Sequence, residues 1–172
     1  MALAYFITFT TYGTWLHGTD KGMGSVDGEH NEYGAEFVEP DPGREREARE
    51  AMAQPPYTMD AARREVVRDA IVALAREKGW RLLAVHVRSN HVHAVVEAER
   101  DPGRLMSDLK ARASRDLTRA GFEDSNRIRW TRHGSTRHLF TAAEVERKVR
   151  YTLDEQGSQM AVYDARKEPR TK

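Results

Sequence analysis

The stretch that most constrains this chain is Arg81–Glu97, in which two strand-like runs are separated only by Arg88-Ser89-Asn90. Arg81–Val87 and His91–Glu97 are both rich in β-branched and apolar residues, and so short a turn predicts an antiparallel hairpin. A long helical pattern flanks the hairpin on each side. Val67, Ala70, Ile71 and Leu74 form an apolar stripe in a helix over about 60–78, stopped by Gly79. Asp101-Pro102 opens a second helix over roughly 103–120, with Leu105, Leu109, Ala113 and Leu117 inward. A first strand covers Ala4–Tyr12 and a further strand Arg127–Phe140, bent at Gly134. Thr141-Ala142-Ala143-Glu144 is a capping-box signature and starts a last helix that ends near Gly157.

The order β-α-β-β-α-β-α predicts an α+β chain with a ferredoxin-like antiparallel sheet, helices on one face and an extra C-terminal helix. The second sheet face stays open unless something docks on it. We expect one domain over 1–157. It carries a long irregular insert at about 13–57, whose charge run at 44–50 forms a short helix. A charged, frayed tail follows at 158–172.

Composition narrows the function. None of the 172 residues is cysteine, which removes thiolate metal sites and disulfides. No apolar run reaches the ~20 residues of a membrane helix, and Met1–Tyr5 lacks the form of a signal peptide. The net charge is +1, so any nucleic-acid contact must come from local patches.

Three patterns carry chemistry. His91 and His93 are two apart on a strand, so both imidazoles share one face while Val92, Ala94 and Val96 point toward the helices. Side by side they can grip one cation, and a third ligand must come from elsewhere. By itself the spacing favours two surface histidines on a half-exposed strand, since His-x-His arises easily by chance. We expect His86, on the neighbouring strand, to be a satisfied structural histidine rather than a ligand.

In the last helix, at about 100° per residue, Val145, Val149 and Leu153 form the apolar stripe, and Tyr151 falls nearly opposite with Glu144, Lys148 and Glu155. The plain reading is an exposed tyrosine; the functional one is a nucleophile beside a carboxylate. Glu155 is favoured over Gln156 as the third ligand by this geometry, with Gln156 retained as the alternative.

The third pattern is basic. Arg104, Arg112, Arg115 and Arg119 lie within an arc of about 80° on the second long helix, interrupted by Asp108, and Lys110 can snorkel to the same groove. A solvated face is the ordinary explanation; phosphate contact is the alternative. Arg127, Arg129, Arg132 and Arg137 with Trp130 and His133 form a second such stretch. Tyr12 and Trp15 can stack unpaired bases, or Trp15 and Trp130 can be core or loop anchors.

The segment Arg88-Ser89-Asn90-His91-Val92-His93-Ala94-Val95-Val96 resembles the histidine motif of single-tyrosine HUH transposases, the insertion-sequence-200-like enzymes and those associated with repetitive extragenic palindromes. Phe9–Leu16 resembles the first-strand segment of one subgroup, and Trp130–Leu139 the segment before its catalytic helix. Tyr151 falls where the family's tyrosine belongs, and the resemblance covers most of residues 4–157. It implies Mg²⁺ or Mn²⁺ held by His91, His93 and a ligand from the tyrosine helix. It also implies nicking and rejoining of single-stranded, hairpin-forming DNA through a 5′-phosphotyrosine, in the cytoplasm of a prokaryotic cell. Homodimers are found among such enzymes. Family members carry Gln or Asn one turn after the tyrosine; Glu155 departs from this, and Gln156 is next. Two other functions stay open: a domesticated DNA-binding module of the same fold, and an unrelated metal hydrolase that uses water and does not need Tyr151.

Overall fold

The computed structural model describes residues 1–14 and 42–168. Its elements are β1 (Ala4–Thr10), α1 (Pro42–Glu50), α2 (Ala61–Lys78), β2 (Arg81–Val87), β3 (His91–Glu97), α3 (Pro102–Arg119), β4 (Ser135–Leu139), α4 (Ala142–Asp154) and β5 (Ala161–Asp164), followed by a 3-10 turn at Ala165–Lys167. The strands form one antiparallel sheet in the order β4-β1-β3-β2-β5. The first four strands have the ferredoxin-like arrangement, and β5 extends the sheet along β2.

Local chemistry sets the boundaries. Asp60 accepts a hydrogen bond from the Arg63 backbone N–H to start α2, and Gly79 ends it in the left-handed region at φ 68. Asp101 caps α3 in the same way with Pro102 in the first turn. Thr141 and Glu144 form both halves of the expected capping box on α4. The hairpin closes where the Arg88 N–H donates to the His91 carbonyl.

Helices α2 and α3 pack together on one sheet face. Ile71, Leu105, Leu109 and Leu117 are fully buried there against Ile7, Phe9, Val85, Val92 and Val96. Each large aliphatic side chain so buried contributes about 1.5–3 kcal/mol. A second, smaller core lies on the other face, where Val149 and Leu153 of α4 meet Phe6, Ala84, Val95 and Leu139. The face expected to stay open is therefore partly covered by the chain's own last helix.

Two expectations change. The strand over Arg127–Phe140 shortens to Ser135–Leu139 with an isolated bridge between Trp130 and Thr11. The bend falls at Gly134, where a Cβ would lie 2.5 Å from the Thr8 carbonyl oxygen and 2.6 Å from Met106 Sδ. Only a residue without a side chain passes that gap. The tail is not frayed throughout: Ala161–Asp164 pairs with Ala84–Val87. The core thus extends past the boundary drawn at 157. The expected helix in the charge run is α1, and Trp15 lies outside the described residues.

Candidate active site

The site forms where α4 crosses the second face of the sheet. On β3 the alternation sends Val92, Ala94 and Val96 into the main core and leaves His91 and His93 on the α4 side. Their ring centroids are 4.8 Å apart. Each ring is tied back through Nδ1: Asn90 Oδ1 lies 2.7 Å from that of His91, and Thr8 Oγ1, one strand over, 2.7 Å from that of His93. Because the Asn90 oxygen only accepts, His91 carries its proton on Nδ1 and presents the Nε2 lone pair. Burial holds both imidazoles neutral: it pushes His91 down to about 4, assisted by Arg88, and His93 down to about 3, assisted by His91.

Tyr151 stands beside them. Its ring is 5.7 Å from that of His93 and 5.9 Å from that of Phe6, edge-on to both. It is half-buried and packs on the small core rather than projecting free from a polar face. The helical wheel fixes where its Cβ points, not where a long aromatic side chain comes to rest.

The third position also differs from the helical extrapolation. Gln156 is placed beside both His91 and His93, where its side chain favours their charged forms, and its Nε2 donates to the Tyr151 carbonyl at 3.5 Å. Glu155 points away and accepts from Arg150 Nε at 3.1 Å. Helix α4 ends at Asp154, and Glu155 already has non-helical φ −109, ψ 16. An ideal 100° step therefore no longer applies past that point, and Gln156 turns toward the sheet. His91, His93 and Gln156 together offer two imidazole nitrogens and a carboxamide oxygen, a set able to hold a divalent cation. Among the described residues no group of three or more His, Cys, Asp or Glu is so placed.

His86 is fully buried and satisfied at both nitrogens. Its Nδ1 lies 3.0 Å from the Thr152 carbonyl, to which it donates, and its Nε2 accepts from the Met160 N–H at 3.0 Å. It joins α4 to the segment leading into β5 and is not a ligand.

The basic residues divide. Arg137, paired with Phe6 across β1–β4, lies on the histidine face. Arg132 is exposed in the loop before β4. Arg104, Arg115 and Arg119 are exposed on α3, on the opposite side of the sheet. Arg112 is engaged by Glu77 and Asp116, and Lys110 donates to the carbonyls of Thr131 and His133. Arg129 is buried and bonds the Phe122 carbonyl past the end of α3, and Arg127 bonds the carbonyls of Pro55 and Pro56. Trp130 is a core anchor that donates to Ser114 and Lys110 of α3. The Tyr12 hydroxyl accepts from the Ala53 N–H, and its backbone holds Tyr57 and Arg129. It fastens the end of the insert.

Thr8 and Lys148 are functional candidates that the sequence reading did not single out. Thr8 was reachable in principle, since strand alternation and pairing place it opposite His93. Lys148 lay on the polar side of the wheel with Tyr151.

The family described as "Transposase IS200 like" matches residues 57–152, more than half of the chain. The match takes in His91, His93 and Tyr151 and stops before Gln156 and β5. No curated protein sequence matches the chain. Among solved structures, the chain is similar to one described as "Structure of the REP associates tyrosine transposase bound to a REP hairpin". The likeness covers 90% of this chain and 67% of that one at 11% identity, with a TM-score of 0.51, and it shows a shared fold. No described helix is long and apolar enough to cross a membrane. With the family model matched over more than half of its length, this chain belongs to the IS200-like transposases.

Proposed function

We propose that this transposase cuts and rejoins single-stranded DNA with Tyr151 as nucleophile. The observation that carries the reading is the convergence of Tyr151, His91, His93 and Gln156 on one face, with each histidine tied back through Nδ1. Mg²⁺ or Mn²⁺ would be held by His91, His93 and Gln156. When bound there, such an ion supplies Lewis-acid polarisation of a phosphate. A carboxylate at Glu155 is the less fitting third ligand, because Arg150 already engages it.

The rest is done by the chain. Asn90 and Thr8 hold the two imidazoles in one orientation, and the Asn90 oxygen also selects the tautomer of His91. Phe6 and His93 brace the Tyr151 ring so that its hydroxyl meets phosphorus without a search through rotamers. The phenolic oxygen bonds to phosphorus, the bond to the 3′-oxygen breaks, and a 5′-phosphotyrosine remains. Rejoining reverses the exchange with another 3′-hydroxyl, so no ATP or water is consumed. Arg137, on the histidine face, and Arg132, exposed in the loop before β4, are cations available to the single strand. A hairpin substrate is the reading favoured by the hairpin-bound structural neighbour.

The test is an adduct assay. The protein is incubated with Mn²⁺ and a pool of single-stranded DNA hairpins with randomised stems and flanks, then denatured and resolved on a gel. A protein–DNA adduct should survive with wild type and vanish with Tyr151→Phe. Cleavage retained by the phenylalanine variant would remove Tyr151 as nucleophile. No adduct from wild type across the pool would favour a DNA-binding module without strand transfer.

A further inference from the structure

We propose that Lys148 is the protein's own cation for the phosphate transferred to Tyr151, contacting a non-bridging oxygen from the tyrosine side. The inference rests on the reading of Tyr151 as nucleophile. Lys148 lies one turn before Tyr151 on α4, so both side chains leave the same flank of the helix. Its Nζ is 4.7 Å from the centroid of the Tyr151 ring and 4.5 Å from that of Phe6. Two aromatic faces thus fix the ammonium in position without neutralising it.

What sets Lys148 apart is its company. Arg63, Arg81, Arg112, Arg150 and Arg166 all pair with carboxylates. Lys148 has no such pair among the described residues. Its charged neighbours are Arg137 and Arg147, with Glu155 the one acid it feels, and that acid is engaged by Arg150. Burial, Arg137 and Arg147 together lower its pKa. A half-buried ammonium among other cations is costly unless an anion arrives. A phosphodiester seated at the Tyr151 hydroxyl is such an anion.

The role follows from the displacement. The phenolic oxygen of Tyr151 forms the new bond to phosphorus, and its proton passes to solvent. The bond to the 3′-oxygen breaks, and that oxygen keeps the electron pair and takes up a proton. Entering and leaving oxygens lie on opposite sides of phosphorus. Lys148, lying along the Tyr151 ring, is on the entering side. It offsets charge on the attacking and non-bridging oxygens, and in the rejoining step it helps the tyrosine oxygen leave.

The test measures single-turnover adduct formation on the same hairpin pool at saturating Mn²⁺, for wild type, K148M, K148R and Y151F, together with DNA affinity and thermal melting. K148M should form adduct about tenfold to a hundredfold more slowly. Its DNA affinity should stay within about threefold and its melting temperature unchanged, since one phosphate contact adds little to total affinity. K148R should recover most of the rate. A K148M rate equal to wild type, a K148R rate as slow as K148M, or a loss that tracks weakened binding or lowered melting temperature would each overturn the assignment. An adduct that forms with wild type but not Y151F tests Lys148 by itself. No adduct from wild type would remove the nucleophile, and this inference with it.

Discussion

Replacing Thr8 by valine isolates the orientation of His93 from everything else at the site. Valine matches threonine in shape and β-branching, so packing in β1 is retained, and only the hydroxyl 2.7 Å from His93 Nδ1 is lost. His93 is 7% exposed, so water cannot fully replace that partner. A buried polar group left unsatisfied costs about 1–3 kcal/mol, and loss of the group that orients a metal-binding histidine weakens metal affinity about 10- to 100-fold. The two magnitudes agree, since each factor of ten corresponds to about 1.4 kcal/mol. Calorimetric titration of the protein with Mn²⁺ should therefore show Thr8→Val weaker by at least about tenfold. Thr8→Ser, which keeps the hydroxyl, should stay near wild type. Urea unfolding in the absence of metal should show a loss of about 1–2 kcal/mol for the valine variant. If Thr8→Val binds Mn²⁺ as wild type does, His93 is either oriented by other contacts or is not a ligand, and the reasoning from its Nδ1 bond fails.

Two further outcomes follow from the same geometry. Gln156→Ala should weaken Mn²⁺ binding about tenfold or more, whereas Glu155→Ala should change it by no more than about twofold, because Arg150 already engages that carboxylate. The reverse ranking in the same titration would restore Glu155 as the third ligand. Stability should also depend on the histidines in acid. With folded values of about 4 for His91 and about 3 for His93 against an ordinary 6.5, the unfolded chain binds more protons than the folded one between these limits. Their contribution is complete above about pH 6.5 and is lost as pH falls toward the folded values. Urea midpoints measured between pH 7 and 4.5 should fall more steeply for wild type than for a His91→Asn, His93→Asn double variant; parallel slopes would show that the two imidazoles titrate normally.

The layers were legible because they are written in short-range signals. The turn at Arg88-Ser89-Asn90, the caps at Asp60, Asp101 and Thr141, and the stripes of α2 and α3 each specify structure within a few residues. The sharing of one face by His91 and His93 follows from strand period alone. What the sequence did not yield depends on tertiary context. β5 is four residues long, too short to display a period, and exists because β2 offers it an edge. The roles of Lys110 and Arg112 looked like phosphate contacts on a wheel. They depend on distant partners, the Thr131 and His133 carbonyls for one and Glu77 for the other. Gln156 reaches the histidines through an irregular helix exit that no ideal helix extrapolates.

That exit also shows how the tyrosine helix is held within its own chain. Only Phe140 and Thr141 separate β4 from α4, and residues 155–160 separate α4 from β5. Because β4 and β5 occupy opposite edges of the sheet, α4 is strung across its face between two anchors of the same chain. Between them, His86 bonds α4 at the Thr152 carbonyl and the following segment at the Met160 N–H, and Arg88 donates to the Ser158 carbonyl. Exchanging α4 with a second copy would require β5 to leave β2, His86 to lose both partners while buried, and Val149 and Leu153 to leave Phe6 and Val95. Each lost hydrogen bond costs about 0.5–1.5 kcal/mol, and each buried aliphatic side chain about 1.5–3 kcal/mol. In a symmetric exchange a second copy offers the same partners, so these contacts hold α4 in place without setting which copy it serves. In this chain the tyrosine helix thus lies over the chain's own histidines, with Tyr151 5.7 Å from His93.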